Sequence, residues 1–193
     1  MRSLKLRSIV AFSLLTLNLS CEKSGDDTGD SGYTEQPSAF LSEVETELIN
    51  FGGCGDVFMY AYSDSDEIGL FISASGIVQQ AFDSGNIPYN AIIEIGPGDD
   101  QARVVLQSGQ RITTEACNDL VIYNQRPSVD EEAVATGGTL NFKITPSGDS
   151  TDWGELPAGA EIVLSDVEFT TDQGDTIIID DWGFDAFVGW LPG

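Results

Sequence analysis

The sequence predicts an all-β domain: an antiparallel sandwich of about ten short strands, with a barrel as the alternative topology. Three observations predict it. Apolar and polar residues alternate with a period of two. The alternation is cleanest over Thr139–Thr145, where Leu140, Phe142 and Ile144 take one face and Asn141, Lys143 and Thr145 the other. Turn clusters of Gly, Pro, Asp and Ser punctuate the chain about every eight to twelve residues. No long helical pattern follows residue 40.

Taken in order, the folded part begins near Phe40. Glu43, Glu45 and Glu47 alternate with Val44, Thr46 and Leu48, which reads as a half-buried strand. The rival helix would set Glu43 and Glu47 on one face, where they repel. Gly52-Gly53-Cys54-Gly55 reads as a turn, and Val57–Tyr62 as a continuous apolar strand. Ser63–Asp66 is a polar turn before a strand at Ile68–Ala74, with Ile68, Leu70 and Ile72 on one face. Gly76–Asn86 fits a short helix or a loose edge. Ala91–Ile95 is a strand, and Gly96-Pro97-Gly98-Asp99-Asp100 turns it towards Arg103–Gln107 as a hairpin partner. Arg111–Thr114 and Leu120–Tyr123 are further strands, and Arg126–Thr136 is a polar loop. Pro146–Pro157 is a long acidic loop holding Trp153. Glu161–Thr170, Thr176–Asp180 and Phe184–Trp190 are the last strands, with no tail expected beyond them. An immunoglobulin-type core is disfavoured. No Trp lies between Cys54 and Cys117, and Glu115 stands where a corner tyrosine belongs.

Charge is the strongest compositional signal. The chain has 193 residues, 8 basic and 32 acidic, for a net charge of -24. Such a surface repels phosphate backbones and excludes nucleic acid as a partner. It favours solubility and resists self-association; cation binding is the sharper reading of the same charge. Histidine is absent, which removes Ser-His-Asp and Cys-His catalysis and histidine metal sites.

The first residues carry a different pattern. Arg2, Lys5 and Arg7 precede an apolar run, Ile9–Leu17, and then Leu19-Ser20-Cys21. A basic start, an apolar core and a processing site make a secretory signal. The run is about half of the roughly 20 residues a membrane-spanning helix needs. The Leu-Ser-Cys ending resembles the lipobox of bacterial lipoproteins, although Asn18 stands where that family prefers Leu. The resemblance implies that residues 1–20 are removed and that Cys21 becomes the acylated N-terminus. It also implies that Glu22, in place of Asp, directs the protein to the outer membrane. Removal of residues 1–20 takes three basic residues and no acidic ones, leaving 5 basic against 32 acidic, or -27. Residues 21–39, rich in Asp, Gly and Ser, read as a flexible acidic tether. Their composition is similar to the tethers of lipoproteins from myxobacteria and their relatives. Residues 40–193 then form one all-β domain.

With Cys21 assigned to lipid, Cys54 and Cys117 remain as a pair in an oxidising compartment, and a disulfide is expected. The stretches Cys54–Tyr60 and Cys117–Tyr123 share a frame: Cys, Asp two residues on, three apolar residues, Tyr. Asp56 and Asp119 are expected to bond local turn amides.

Carboxylates are the main catalytic groups left. Asp180, Asp181 and Asp185 around Trp182, and Asp152 and Glu155 around Trp153, are the candidates for a glycoside hydrolase, a remote alternative. A non-catalytic structural or binding domain is the leading reading. Its alternatives are a carbohydrate- or peptidoglycan-binding module, with sugars stacked on Trp153 or Trp182, and a calcium-binding module. The bland reading of both rings is that they seal the rims of the sandwich. For calcium, the oxygen-rich turns offer Asp64, Asp66 and Glu67, and Asp149 and Asp152; neither matches an EF-hand loop. No other cofactor is implied. The expected partners are the membrane, through the lipid, and a glycan or envelope protein.

Overall fold

The computed structural model describes residues 44–96, 101–118, 126–147 and 156–189. All of them fall in one compact unit, Pro37–Gly193. One turn of helix, α1 (Val44–Glu47), leads into strands β1 (Asn50–Cys54), β2 (Phe58–Tyr62) and β3 (Ile68–Ala74). Helix α2 (Ile77–Ser84) precedes β4 (Tyr89–Glu94), β5 (Ala102–Gln110) and β6 (Ser128–Pro146). Strands β7 (Ala158–Thr170), β8 (Thr176–Ile179) and β9 (Trp182–Val188) complete the described elements. The pairings between them are antiparallel. The strand order is β1-β2-β3-β5-β6-β7-β8, with β4 added on β6 and β9 on β7. The sheet does not close, so the architecture is the sandwich and not the barrel.

Two strands are not short. β6 has 19 residues and β7 has 13, and each serves both layers. The first part of β6 pairs with β5 and its second part with β4. The first part of β7 pairs with β9 and its last part with β8. One layer is therefore β1-β2-β3-β5 with the start of β6, the end of β7 and β8. The other is β4 and β9 with the remaining halves of the long strands. Strands that switch layers need a corner, and bulges supply it.

The corner is visible in the burial pattern. In β6 the buried residue Ala133 is at an odd position, whereas Leu140, Phe142 and Ile144 are at even ones. In β7, Ala158, Ala160, Ile162 and Leu164 give way to Val167 and Phe169. Each strand thus flips parity once, at Gly137-Gly138 and at Ser165-Asp166, where the β6–β7 register also shifts. Gly138 and Asp166 have φ of 110° and 53°, both left-handed. A Cβ on Gly138 would lie 2.5 Å from the Val167 Cα. The flip keeps apolar side chains inward through the bend, and a single core cluster draws on both layers.

Several elements correct or resolve the sequence reading. The stretch before Ile49 is helical, because Val44 and Leu48 are buried four residues apart, on one helical face. The ambiguous stretch after Gly76 is the helix α2, which buries Ile77, Val78 and Ala81. Gly52 and Gly53 are extended within β1. Gly52 is needed for close approach, since the Tyr60 ring lies where its Cβ would be. β4 and β5 do not form a hairpin: both lie along the same edge of β6, on opposite sides of the corner. The polar stretch from Ser128 is the start of β6, its polarity belonging to an exposed strand face. Arg111–Thr114 is a turn, because Arg111 at φ 55° ends the extended run. The strand expected at Leu120–Tyr123 and the loop around Trp153 lie outside the described residues.

The corner can be tested by two neighbouring substitutions. Gly138→Ala forces a side chain into left-handed backbone against Val167 and is expected to lower stability by about 1–3 kcal/mol. Gly137→Ala meets no atom within 4 Å and is expected to change stability by no more than about 1 kcal/mol. Thermal denaturation of both variants checks this; equal effects would remove the corner from its central role.

Candidate functional site

The outer face of β2 and β3 is unusually aromatic for a sheet surface. Phe58, Tyr60 and Tyr62 point away from the core, alternating with buried Met59 and Ala61. Across the pairing, Tyr60 stands opposite Phe71. The Phe58 and Phe71 rings are near-parallel, with centroids 6.3 Å apart and planes 23° apart. Tyr60 is 6.4 Å from Phe71 at 24°. Burial pushes the Tyr60 phenol above its usual value, and the neighbouring Tyr62 adds to the shift.

β5 and β6 continue this face with polar groups. Arg103 and Gln107 project from β5, and Glu132 projects opposite Gln107 from β6. Glu132 accepts from Gln107 Nε2 at 2.7 Å through one oxygen and pairs with Arg103 Nη2 at 3.3 Å through the other. The result is a planar amide, a guanidinium and a carboxylate held beside two aromatic rings.

The segment 111–118 forms one wall. Four bonds hold it to β1 and to the turn before β3. Cys117 is joined to Cys54, with a Cα–Cα distance of 5.7 Å. The Ile112 N–H donates to the Asp66 carbonyl at 3.3 Å. Thr113 donates to Asp66 Oδ1 through its N–H at 3.1 Å and its hydroxyl at 2.8 Å. Gly69 gives the wall its room: a Cβ there would lie 2.7 Å from Ile112 Cδ1. Ile112, Glu115 and Ala116 line a groove of about 340 Å³ together with Pro127, Val129 and Glu132, with Phe58 and Phe71 also in its lining. The disulfide lies outside the core cluster, so it pins a wall to a face and does not bridge the two layers. Its partners are separated by 63 residues, a closure that stabilises by about 4 kcal/mol on the chain-entropy model.

A second depression, of about 550 Å³, lies on the other layer above Gly159 and Gly183. Glu161 and Asp185 stand opposite each other on β7 and β9 there, both exposed. Lys143 binds Glu161 at 2.6 Å. This is an open sheet face, with both carboxylates exposed.

The residues singled out from sequence are distributed as follows. Asp66 is engaged by Thr113, and Asp64 and Glu67 are exposed. Among the described residues no three metal-ligating side chains come together. Trp182 starts β9, half-buried, with its ring 5.4 Å from Phe184 and 6.3 Å from Phe51. It packs against the core at the seam between β1 and β9. Asp56 reaches further than its own turn: it accepts from the N–H groups of Gly76 and Val78 at the start of α2. Cys21, Asp119, Asp149, Asp152, Glu155 and Trp153 lie outside the described residues. The groove residues Phe58, Phe71, Arg103, Gln107 and Glu132 are not among the site candidates that the sequence offers. Their signal was present in Phe-Met-Tyr-Ala-Tyr, an alternation of aromatic and apolar residues that reads as a continuous apolar run until one face is known to be outward.

No family model, curated protein or solved structure matches the chain.

Two outcomes test this face. A phenol with a raised pKa adds stability below its unfolded pKa of about 10, which is lost as pH rises through the higher folded value. Alkaline spectrophotometric titration should therefore find one tyrosine ionising late, and Tyr60→Phe should remove it. Asp66→Ala breaks both bonds to Thr113 and places Ala at a position whose φ is 58°. Denaturant unfolding should show a loss of about 1–3 kcal/mol.

Proposed function

We propose that the protein is a lipoprotein of the bacterial outer membrane that displays a non-catalytic, all-β domain on an acidic tether. The lipobox-like Leu19-Ser20-Cys21 and the tether composition support the anchor. The geometric observation that carries an envelope location is the Cys54–Cys117 bond, since structural disulfides persist in oxidising compartments. The absence of histidine and the openness of the Glu161–Asp185 face favour display and binding over hydrolysis. Among the described residues no helix is long and apolar enough to cross a membrane, and the reading assigns attachment to the lipid. Three acyl chains, at about 0.8 kcal/mol per buried CH₂, hold a protein essentially permanently.

Detergent phase partitioning of cell extracts tests this reading. The wild type should enter the detergent phase and incorporate labelled palmitate. Cys21→Ser should stay aqueous or retain its signal. Identical partitioning and labelling of the two would sink the lipoprotein reading.

A further inference from the structure

We infer that the outer-face groove binds a neutral carbohydrate, with a pyranose ring laid on Phe58 and Phe71 and its hydroxyls held by Arg103, Gln107 and Glu132. The inference rests on the reading of the domain as a displayed binding module, and it gives that module a site and a ligand class. The outward face of an antiparallel sheet is ordinarily polar. Here two near-parallel rings, 6.3 Å apart, line a walled groove on that face. A pyranose presents apolar C–H groups on its faces and hydroxyls around its edge. It therefore needs a ring to lie on and planar hydrogen-bonding groups beside it. The groove supplies both, and Glu132 bonds Arg103 and Gln107 side by side. Its volume, about 340 Å³, lies at the small end of ligand sites, which run to roughly 300–1,000 Å³.

The polar groups also select against other occupants. An apolar protein segment would bury the groove's amide, guanidinium and carboxylate without replacing their bonds to water, which is costly. A polyanion would meet Glu115 and Glu132 in the lining and a chain of net charge -24. Arg103 pairs with Glu132 and offsets one of these two carboxylates, which leaves the lining net negative. A hydroxyl-rich, uncharged ring satisfies both constraints.

Calorimetry with the full-length protein in a polyoxyethylene ether detergent, which carries no sugar, tests the proposal. The probes are hexasaccharides of glucose, mannose and N-acetylglucosamine, with a galacturonic acid hexasaccharide as the anionic arm. At least one neutral hexasaccharide should bind saturably. Gln107→Ala should weaken it about tenfold, the equivalent of one lost hydrogen bond, and Phe71→Leu should weaken it by at least as much. Melting temperatures of both variants separate a lost contact from a lost fold, and Trp153→Ala should bind as the wild type does. Binding by none of the neutral probes, or by the galacturonate alone, would overturn the ligand class. Neutral binding indifferent to Gln107→Ala and Phe71→Leu, or lost in Trp153→Ala, would overturn the site. None of these outcomes depends on anchoring, which the partitioning of Cys21→Ser reads separately.

Discussion

The close approach of Gly138 to Asp166 and Val167 is the constraint on which the rest of the structure depends. A sandwich built on strands that pass from layer to layer must turn each of them without turning its apolar face outward. A one-residue slip in side-chain parity, placed at the same level in β6 and β7, does this. Only glycine fits where a Cβ would lie 2.5 Å from a neighbouring Cα. Asp166 occupies the facing left-handed position, which Asp adopts more readily than most residues do. Because both strands flip together, β5 and β8 are delivered to one layer and β4 and β9 to the other.

That division also explains the outer face. β5 carries Arg103 and Gln107 beside the aromatic strands, because it and not β4 lies next to β3. The wall that follows β5 could not stay over this face by packing alone, since it is a short irregular segment. It is fastened at Asp66 and at the Cys54–Cys117 bond, one on each side of Thr114–Ala116. In the turn before β3, Asp66 Oδ1 thus accepts from a backbone and a hydroxyl donor of another part of the chain.

Much of this was legible in the sequence, for identifiable reasons. The strands Ile68–Ala74 and Thr139–Thr145 and the cysteine pair follow from local alternation and from counting thiols. What local pattern could not give is partnership. Ala91–Ile95 and Arg103–Gln107 are neighbours in sequence, yet they join different layers, because the corner in β6 lies between their pairing sites. Gly52 reads as a turn residue until the ring of Tyr60 is placed over it. The segment from Ser128 looks like a loop because only its pairing with β5 shows that its polar residues belong to a strand. The groove was hidden for the same reason: Phe58 and Phe71 become a surface feature only once Met59 and Ile72 are known to take the inner side.

The surface charge bears on how such a domain holds together. Residues 40–193 contain four basic residues, Arg103, Arg111, Arg126 and Lys143. Two of them, Arg103 and Lys143, make cross-strand pairs with Glu132 and Glu161, one on the outer face of each layer. Exposed pairs of this kind contribute only about 0–1 kcal/mol, so they cannot offset the mutual repulsion of so many carboxylates. Stability must come from the apolar core, continuous through the corner, and from the covalent closure at Cys54–Cys117. The cations matter more for position than for energy. Lys143 relieves the carboxylates of Glu161 and Asp185, which face one another across β7 and β9. Arg103 and Gln107 both bond Glu132, which gathers three polar side chains beside a pair of aromatic rings.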